Sequence, residues 1–276
     1  MEIEDLYNFN IIDDPRISVD GKYIAYTETI ASKIDNNYRS KIVLYEIDSK
    51  KTILELNDGC KNCFPRWNKN NELIYLNVNK DSDNYSIKLL DLYNASSKVV
   101  FGQDKNISDI KISGCGDYIS FLKYDDDDLN NDNELKQDVL FLERFNWKSD
   151  SLGFTGNSYQ HLYIYDLKKC VLKKITNGKY DVSGYAWSNN GSKIALITNK
   201  SITNDFERKK EIYYIDDLNR ADSSKIAEFE DIRGSDISFS PKDEYLSVCG
   251  HDNKAHGHYG FQRVWLINIK DKQKRY

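Results

Sequence analysis

The feature that most constrains this chain is a pattern that returns about every fifty residues: an apolar residue, a polar turn, then a strand of alternating apolar side chains. Five copies read ISVDGKYIAYT from Ile17, RWNKNNELIYLN around Trp67, KISGCGDYISFL around Ile112, AWSNNGSKIALIT around Trp187 and SFSPKDEYLSVCG around Phe239. Their turns are Asp20-Gly21, Asn70-Asn71, Cys115-Gly116, Asn190-Gly191 and Lys242-Asp243. Most of these pairs tolerate the positive φ that a tight hairpin requires. The anchors lie 50, 45, 75 and 52 residues apart, so one interval carries an insertion.

A third apolar strand follows each hairpin: KIVLYEID, SIKLLDLY, HLYIYDL, EIYYIDDL and RVWLINIKD. A fourth follows in four units: TILEL, SKVVFG, VLKKIT and KIAEFE. Four antiparallel strands per period is the arithmetic of a β-propeller blade, and it is favoured over a sandwich or barrel that happens to be evenly spaced. The expected fold is all-β, a propeller of about five four-stranded blades. The last blade is expected to be incomplete, because the chain reaches DKQKRY before a fourth strand is visible, so the propeller is expected to be open. Residues 1–13 read as a lead-in segment, 14–276 as blades one to five, and about 125–158 as the insertion.

Composition agrees. The 20 Tyr and 11 Phe, with Ile and Val filling the apolar runs, favour strands. With 39 Lys and Arg against 44 Asp and Glu the net charge is −5, which argues against a nucleic-acid binder held by phosphate neutralisation. No apolar run approaches a membrane span, and MEIEDLYNFN lacks the order of a signal peptide. Five cysteines, an odd number, fit reduced thiols. The expected location is the cytoplasm, without membrane or nucleic-acid partners.

Each candidate for chemistry meets a plainer account. Gly156-Asn157-Ser158-Tyr159-Gln160 approaches the nucleophile elbow G-x-S-x-G but has Gln at the last position and lies among strands, so Ser158 reads as a loop serine. Cys60 and Cys63 form a lone C-x-x-C without the βαβ setting of a redox motif or a second pair for zinc. His251, His256 and His258 crowd into HDNKAHGHYG, and a polar hairpin explains them better than a metal. DDDDLNNDNE fails the register of a calcium loop and reads as a solvated acidic tip. Glu143 and Arg144, in LFLERFNW, form a charged pair between large apolar residues, facing a partner, a channel or simply solvent. No cofactor, metal or catalytic residue is expected.

Four stretches, IEDLYNFNIIDDPRISVDGKYIAYT, ERFNWKSDSLGFTGNSYQHLYIYDL, KKITNGKYDVSGYAWSNNGSKIALIT and GHDNKAHGHYGFQRVWLINI, together resemble the prolyl oligopeptidase family of serine peptidases, in its acylaminoacyl-peptidase and dipeptidyl-aminopeptidase branch. The resemblance spans nearly the whole chain in order. It implies an N-terminal propeller that caps a separate α/β-hydrolase domain carrying the triad, and that admits short peptides to a cavity between the two. Blade insertions in relatives often reach that cavity or a subunit contact, which makes Glu143, Arg144 and His161 the candidates for a contact with substrate or the hydrolase domain. Such a chain is expected to be inactive by itself and to self-associate through its unfinished edge. The alternative is a free-standing propeller acting as a protein-interaction module, similar to WD-repeat or Tol-type propellers.

Overall fold

A computed structural model describes residues 2–34, 36–79, 84–92, 94–104, 107–125, 142, 144–149, 153–154, 157–201, 206–207, 209–253 and 260–276. The chain divides into two compact units, residues 1–112 and 113–276. Among the described residues no helix is long and apolar enough to cross a membrane.

The first unit opens with a short 3-10 helix, Ile3–Asn8, and then builds two blades. Blade one is β1 (Asn10–Ile17), β2 (Tyr23–Ser32), β3 (Asn37–Glu46) and β4 (Lys51–Leu56). Blade two is β5 (Lys61–Trp67), β6 (Leu73–Val78), β7 (Tyr85–Asp91) and β8 (Ser96–Asp104). A parallel bridge between Ser40 and Lys61 ties the two into one eight-stranded sheet. Asn10 to Asp13, inside the segment read as a lead-in, pair with Thr27 to Ile30 of β2. The core of this unit gathers Ala25, Ile42, Leu44, Leu73, Tyr75 and Leu90.

Blade three follows with β9 (Ile107–Ile112), β10 (Tyr118–Tyr124), β13 (Gln160–Asp166) and β14 (Val171–Lys174), in the sheet order β14-β13-β10-β9. Its insertion falls between the second and third strands and contains a small ladder, β11 (Lys148–Ser149) with β12 (Gly153–Phe154). The acidic tip DDDDLNNDNE lies outside the described residues after Asp125. Blade four is β15 (Val182–Trp187), β16 (Ile194–Thr198), β17 (Lys210–Ile215) and β18 (Ser223–Phe229). Blade five is β19 (Asp231–Phe239), β20 (Tyr245–His251), β21 (Arg263–Asn268) and β22 (Lys274–Arg275).

That last strand corrects one expectation. DKQKRY does supply a fourth strand, through the pairs Leu266 with Arg275 and Ile267 with Lys274. Its polar sequence hid it, because an edge strand pairs through backbone groups and needs no apolar alternation.

The five turns all join the first and second strands of a blade, and they share one construction. Ser18, Asn68, Ser113, Ser188 and Ser240 each open the corner. Their carbonyls accept the N–H of Gly21, Asn71, Gly116, Gly191 and Asp243, three residues on, at 2.8–3.1 Å. Their side-chain oxygens accept the N–H five residues on at Tyr23, Tyr118, Lys193 and Tyr245, and four on at Glu72. Each fourth corner residue has positive φ: 74°, 57°, 78°, 72° and 58°. Gly, Asn and Asp are the residues that adopt this region at least cost.

In three blades the residue before the corner packs on the preceding blade. Trp67 stacks on Tyr23 at 6.4 Å between ring centroids and donates its indole N–H to the carbonyl of Arg16. Trp187 stacks on Tyr118 at 6.1 Å and donates to Ser120 Oγ. Phe239 meets Tyr214 at 6.4 Å. The blade register predicts that these three are largely buried; each is partly buried and none is exposed.

Candidate functional site

The corners occupy one end of every blade, so strand direction places Asp125 after β10, Gln160 at the start of β13, Asp181 before β15 and Lys200 after β16 at the other end. In the second unit this end carries a seam of charged and aromatic side chains, and two of the residues singled out from sequence lie in it.

Arg144 enters from the insertion and is buried. Its Nη2 pairs with Asp181 Oδ2 at 2.5 Å, its Nη1 donates to the carbonyl of Ser158, and its guanidinium lies 4.3 Å over the ring of Tyr159. Asp181 uses its other oxygen to accept the N–H of Gln160 at 2.7 Å. One carboxylate thus fastens both the insertion and the first residue of β13 to the entry of blade four. A buried arginine needs this arrangement, since a guanidinium taken from water without a carboxylate partner is strongly unfavourable.

His161 is fully buried on β13. Its Nδ1 lies 3.0 Å from Thr176 Oγ1, which also accepts the N–H of Leu162 at 2.9 Å. The other ring nitrogen, Nε2, lies 3.4 Å from Asp125 Oδ2. Tyr180 meets the ring edge-on at 5.5 Å. Burial pushes the imidazole below its usual value, against the pull of Asp125, so His161 is neutral near pH 7. Asp125 accepts from Tyr163 Oη and from Lys174 Nζ, each at 2.8 Å. Burial works to raise its carboxyl, but these bonds outweigh burial and hold it below the ordinary range.

Beyond Tyr180 the seam continues. Lys200 Nζ lies 5.0 Å from the Tyr180 ring and 4.1 Å from the Tyr213 ring, and it donates to Ser223 Oγ at 2.7 Å. Burial lowers its ammonium pKa. Glu211 accepts from Lys225 Nζ, the N–H of Lys200 and Tyr213 Oη. Burial opposes its ionisation, yet these donors keep it below the usual value.

The remaining sequence candidates fare as follows. Glu143 lies outside the described residues, as do His256 and His258. His251 is buried at the end of β20, where Nδ1 accepts the N–H of Asn253 at 3.3 Å. Ser158 is buried at the entry to β13, on no strand-to-helix turn. All five cysteines are free; burial pushes the Cys63 thiol up to about 12, and Cys60 Sγ donates to the carbonyl of Val78. Sequence reasoning missed Asp125, Thr176, Asp181, Lys200 and Glu211. The signal for Asp181 and Lys200 was positional: each stands just beyond the strand end opposite the corner.

No protein-family model matches the chain. The uncharacterized peptidase YuxL of Bacillus subtilis is 22% identical over 214 residues, covering 73% of this chain and 32% of that protein. Among solved structures, the acylaminoacyl peptidase of Pyrococcus horikoshii superposes with a TM-score of 0.72 at 16% identity, over 98% of this chain and 40% of that one. The β-propeller domain of the Trilobed protease from Pyrococcus furiosus, described as an open velcro topology, gives 0.61 at 15% identity, over 96% and 70%. TolB from Acinetobacter baumannii gives 0.58 at 17%, over 96% and 53%. The fold is therefore that of a β-propeller, and among the described residues no sheet closes on itself. The chain spans about a third of the length of the curated relative and two fifths of the acylaminoacyl peptidase.

Proposed function

We propose that this chain is the propeller portion of a cytoplasmic serine exopeptidase acting on short peptides, and that it selects substrate by size for a triad carried on an α/β-hydrolase domain. The observation that supports this best is the likeness of 98% of the chain to two fifths of an acylaminoacyl peptidase, in a chain that holds no elbow nucleophile of its own. In this reading the insertion makes the contact with the hydrolase domain or with peptide. Glu143, Arg144 and His161 belong to that contact, with Arg144 and His161 acting by fixing the insertion and β13 from within.

The test has two arms. The chain alone, treated with a fluorophosphonate, is expected to remain unlabelled and to release nothing from acylaminoacyl anilides. The messenger that encodes it, read past residue 276, is expected to contain a G-x-S-x-G segment. The complete product should then cleave an acylated dipeptide far faster than the same acyl group on a thirty-residue peptide. Stoichiometric labelling of this chain, or a message without the segment, overturns the reading. A second reading, a free-standing interaction module, draws on the likeness to TolB, and a message without the segment is the outcome that favours it.

A further inference from the structure

Blade five carries a cleft of about 360 Å³ whose lining includes His251, Asp252, Phe261, Arg263, Trp265 and Tyr276. Strand register fixes the side on which it is built. Trp265 pairs with Val248 and Ile267 with Leu246, and Val248, Leu246 and Ile267 belong to the core that blade five shares with blade four. Trp265 itself meets Phe229 of β18 at 5.5 Å between ring centroids. Arg263 stands two residues from Trp265 on β21 and so points to the same side. The aromatic wall of the cleft and its arginine therefore lie on the side of blade five that packs on blade four, within one unit.

Its polar groups are unequally matched. Asp252 pairs with Lys274 at 2.5 Å, and the same ammonium donates to the carbonyl of Glu228 in blade four at 2.7 Å. Arg263 holds its guanidinium 4.2 Å over the ring of Tyr276, and among the described residues it has no carboxylate partner. The unmatched charge of the cleft is thus positive.

His251 is only 3% exposed. Its Nδ1 accepts the N–H of Asn253, so the neutral ring carries its proton on Nε2, and that nitrogen is buried without a hydrogen-bond partner. Gly260 keeps the ring in place: a Cβ there would come within 2.7 Å of His251 Cγ. A buried N–H without an acceptor destabilises the fold, and an oxygen brought in by a ligand relieves that penalty.

We propose that this cleft binds a small organic carboxylate with an aromatic body. The body lies against Phe261, Trp265 and Tyr276, and the carboxylate takes the Arg263 guanidinium and the Nε2–H of His251. An arginine fork matches a carboxylate in shape as well as charge. A concave aromatic lining with a few polar groups is the usual build of a small-molecule site. Cations are disfavoured, because the one carboxylate in the lining already holds Lys274. The site stands apart from the peptidase reading and does not depend on it.

Phenylacetate is the probe, titrated into the whole chain and followed by calorimetry and tryptophan fluorescence. Binding is expected in the millimolar range or tighter, and the fluorescence change should vanish in Trp265→Phe while the calorimetric signal persists. Phenylacetamide, without the charge, and acetate, without the ring, should each bind about tenfold more weakly. Arg263→Gln, at an exposed position, should weaken phenylacetate by about tenfold. His251→Gln keeps an N–H near the place of Nε2 and should stay within about threefold of wild type, whereas His251→Leu should fall by about tenfold. Near-ultraviolet circular dichroism verifies the fold of each variant, and the arginine variant and the amide decide alone should His251→Leu not fold. Absence of phenylacetate binding at millimolar concentration overturns the proposal. So does unchanged affinity in Arg263→Gln, or acetate or inorganic phosphate competing as well as phenylacetate, which indicates a plain anion site.

Discussion

Asn189 and Asp243 stand 54 residues apart and are joined twice: the backbone N–H and the side-chain amide of Asn189 both donate to Asp243 Oδ1, at 2.9 and 2.5 Å. Asn189 lies in the corner of blade four, and Asp243 is the positive-φ residue in the corner of blade five. One residue thus serves its own turn through its backbone and its neighbour's through its side chain. Asp243→Asn retains both functions and should be nearly neutral in urea unfolding. Asp243→Gly keeps the backbone but loses the acceptor, at roughly 1 kcal/mol. Asp243→Ala loses both and should cost about 1 kcal/mol more. Equal loss for Gly and Ala would refute the backbone role.

Two glycines separate conformational need from close approach. Gly21 has φ of 74° with nothing near a prospective Cβ, so Gly21→Ala should cost only about 1 kcal/mol. Gly114 faces the carbonyl of Asn189, and a Cβ there would come within 1.9 Å of that oxygen. Backbone must move to admit it, so Gly114→Ala should cost at least twice as much, on the order of 3 kcal/mol. Thermal unfolding of both variants measures the difference.

Arg144→Ala leaves Asp181 without its guanidinium and the Ser158 carbonyl without its donor. The expected loss is about 3 kcal/mol. Hydrogen exchange should report faster exchange at Gln160, whose N–H the same aspartate holds, while amides in blade five stay unchanged. Global, uniform deprotection would show that Arg144 has no local fastening role.

The pH dependence follows from His161 and Asp125. Burial holds His161 below its free value of about 6.5, so the unfolded chain takes up the proton first. The associated stability is present above that value and is lost as pH falls through the folded pKa. Asp125, whose carboxyl is also depressed, adds a second loss as pH falls below about 3.9. His161→Gln should flatten the stability profile just below about pH 6.5 and leave the acid limb in place. An unchanged slope in that window would exclude His161 as its source.

Thiol reactivity should split sharply. Cys170 is exposed, whereas Cys63 is held by burial near a pKa of about 12. Ellman's reagent at pH 8 is expected to modify Cys170 at once and Cys63 only on unfolding. Rapid modification of Cys63 in the native chain would count against its burial.

Much of the fold was legible because a propeller blade writes itself locally. Hairpin, turn residue and alternation all fall within a dozen residues, so the five corners, the four-strand period and the insertion between β10 and β13 could be read from periodicity. β22 could not, because Lys274 and Arg275 pair through backbone with no apolar signature. The seam was readable only in fragments. Arg144 stood out for its apolar flanks, but its partner Asp181 lies 37 residues away, and Asp125, Thr176 and His161 are joined by strand pairing rather than by spacing. Polar residues at strand ends carry no periodic mark, so their convergence appears only once register is known.

The shared corner has a consequence for how such a chain drifts. What the five turns share is a first side-chain oxygen and a fourth residue at ease with positive φ. Ser or Asn meets the first demand here, and Gly, Asn or Asp the second. Other turn residues, among them Val19, Lys69, Cys115, Asn190 and Pro241, differ from blade to blade. A backbone specified by so few atoms per blade can be inherited almost unchanged by sequences with little left in common, and its kinship is then written in dihedral angles before it is written in letters.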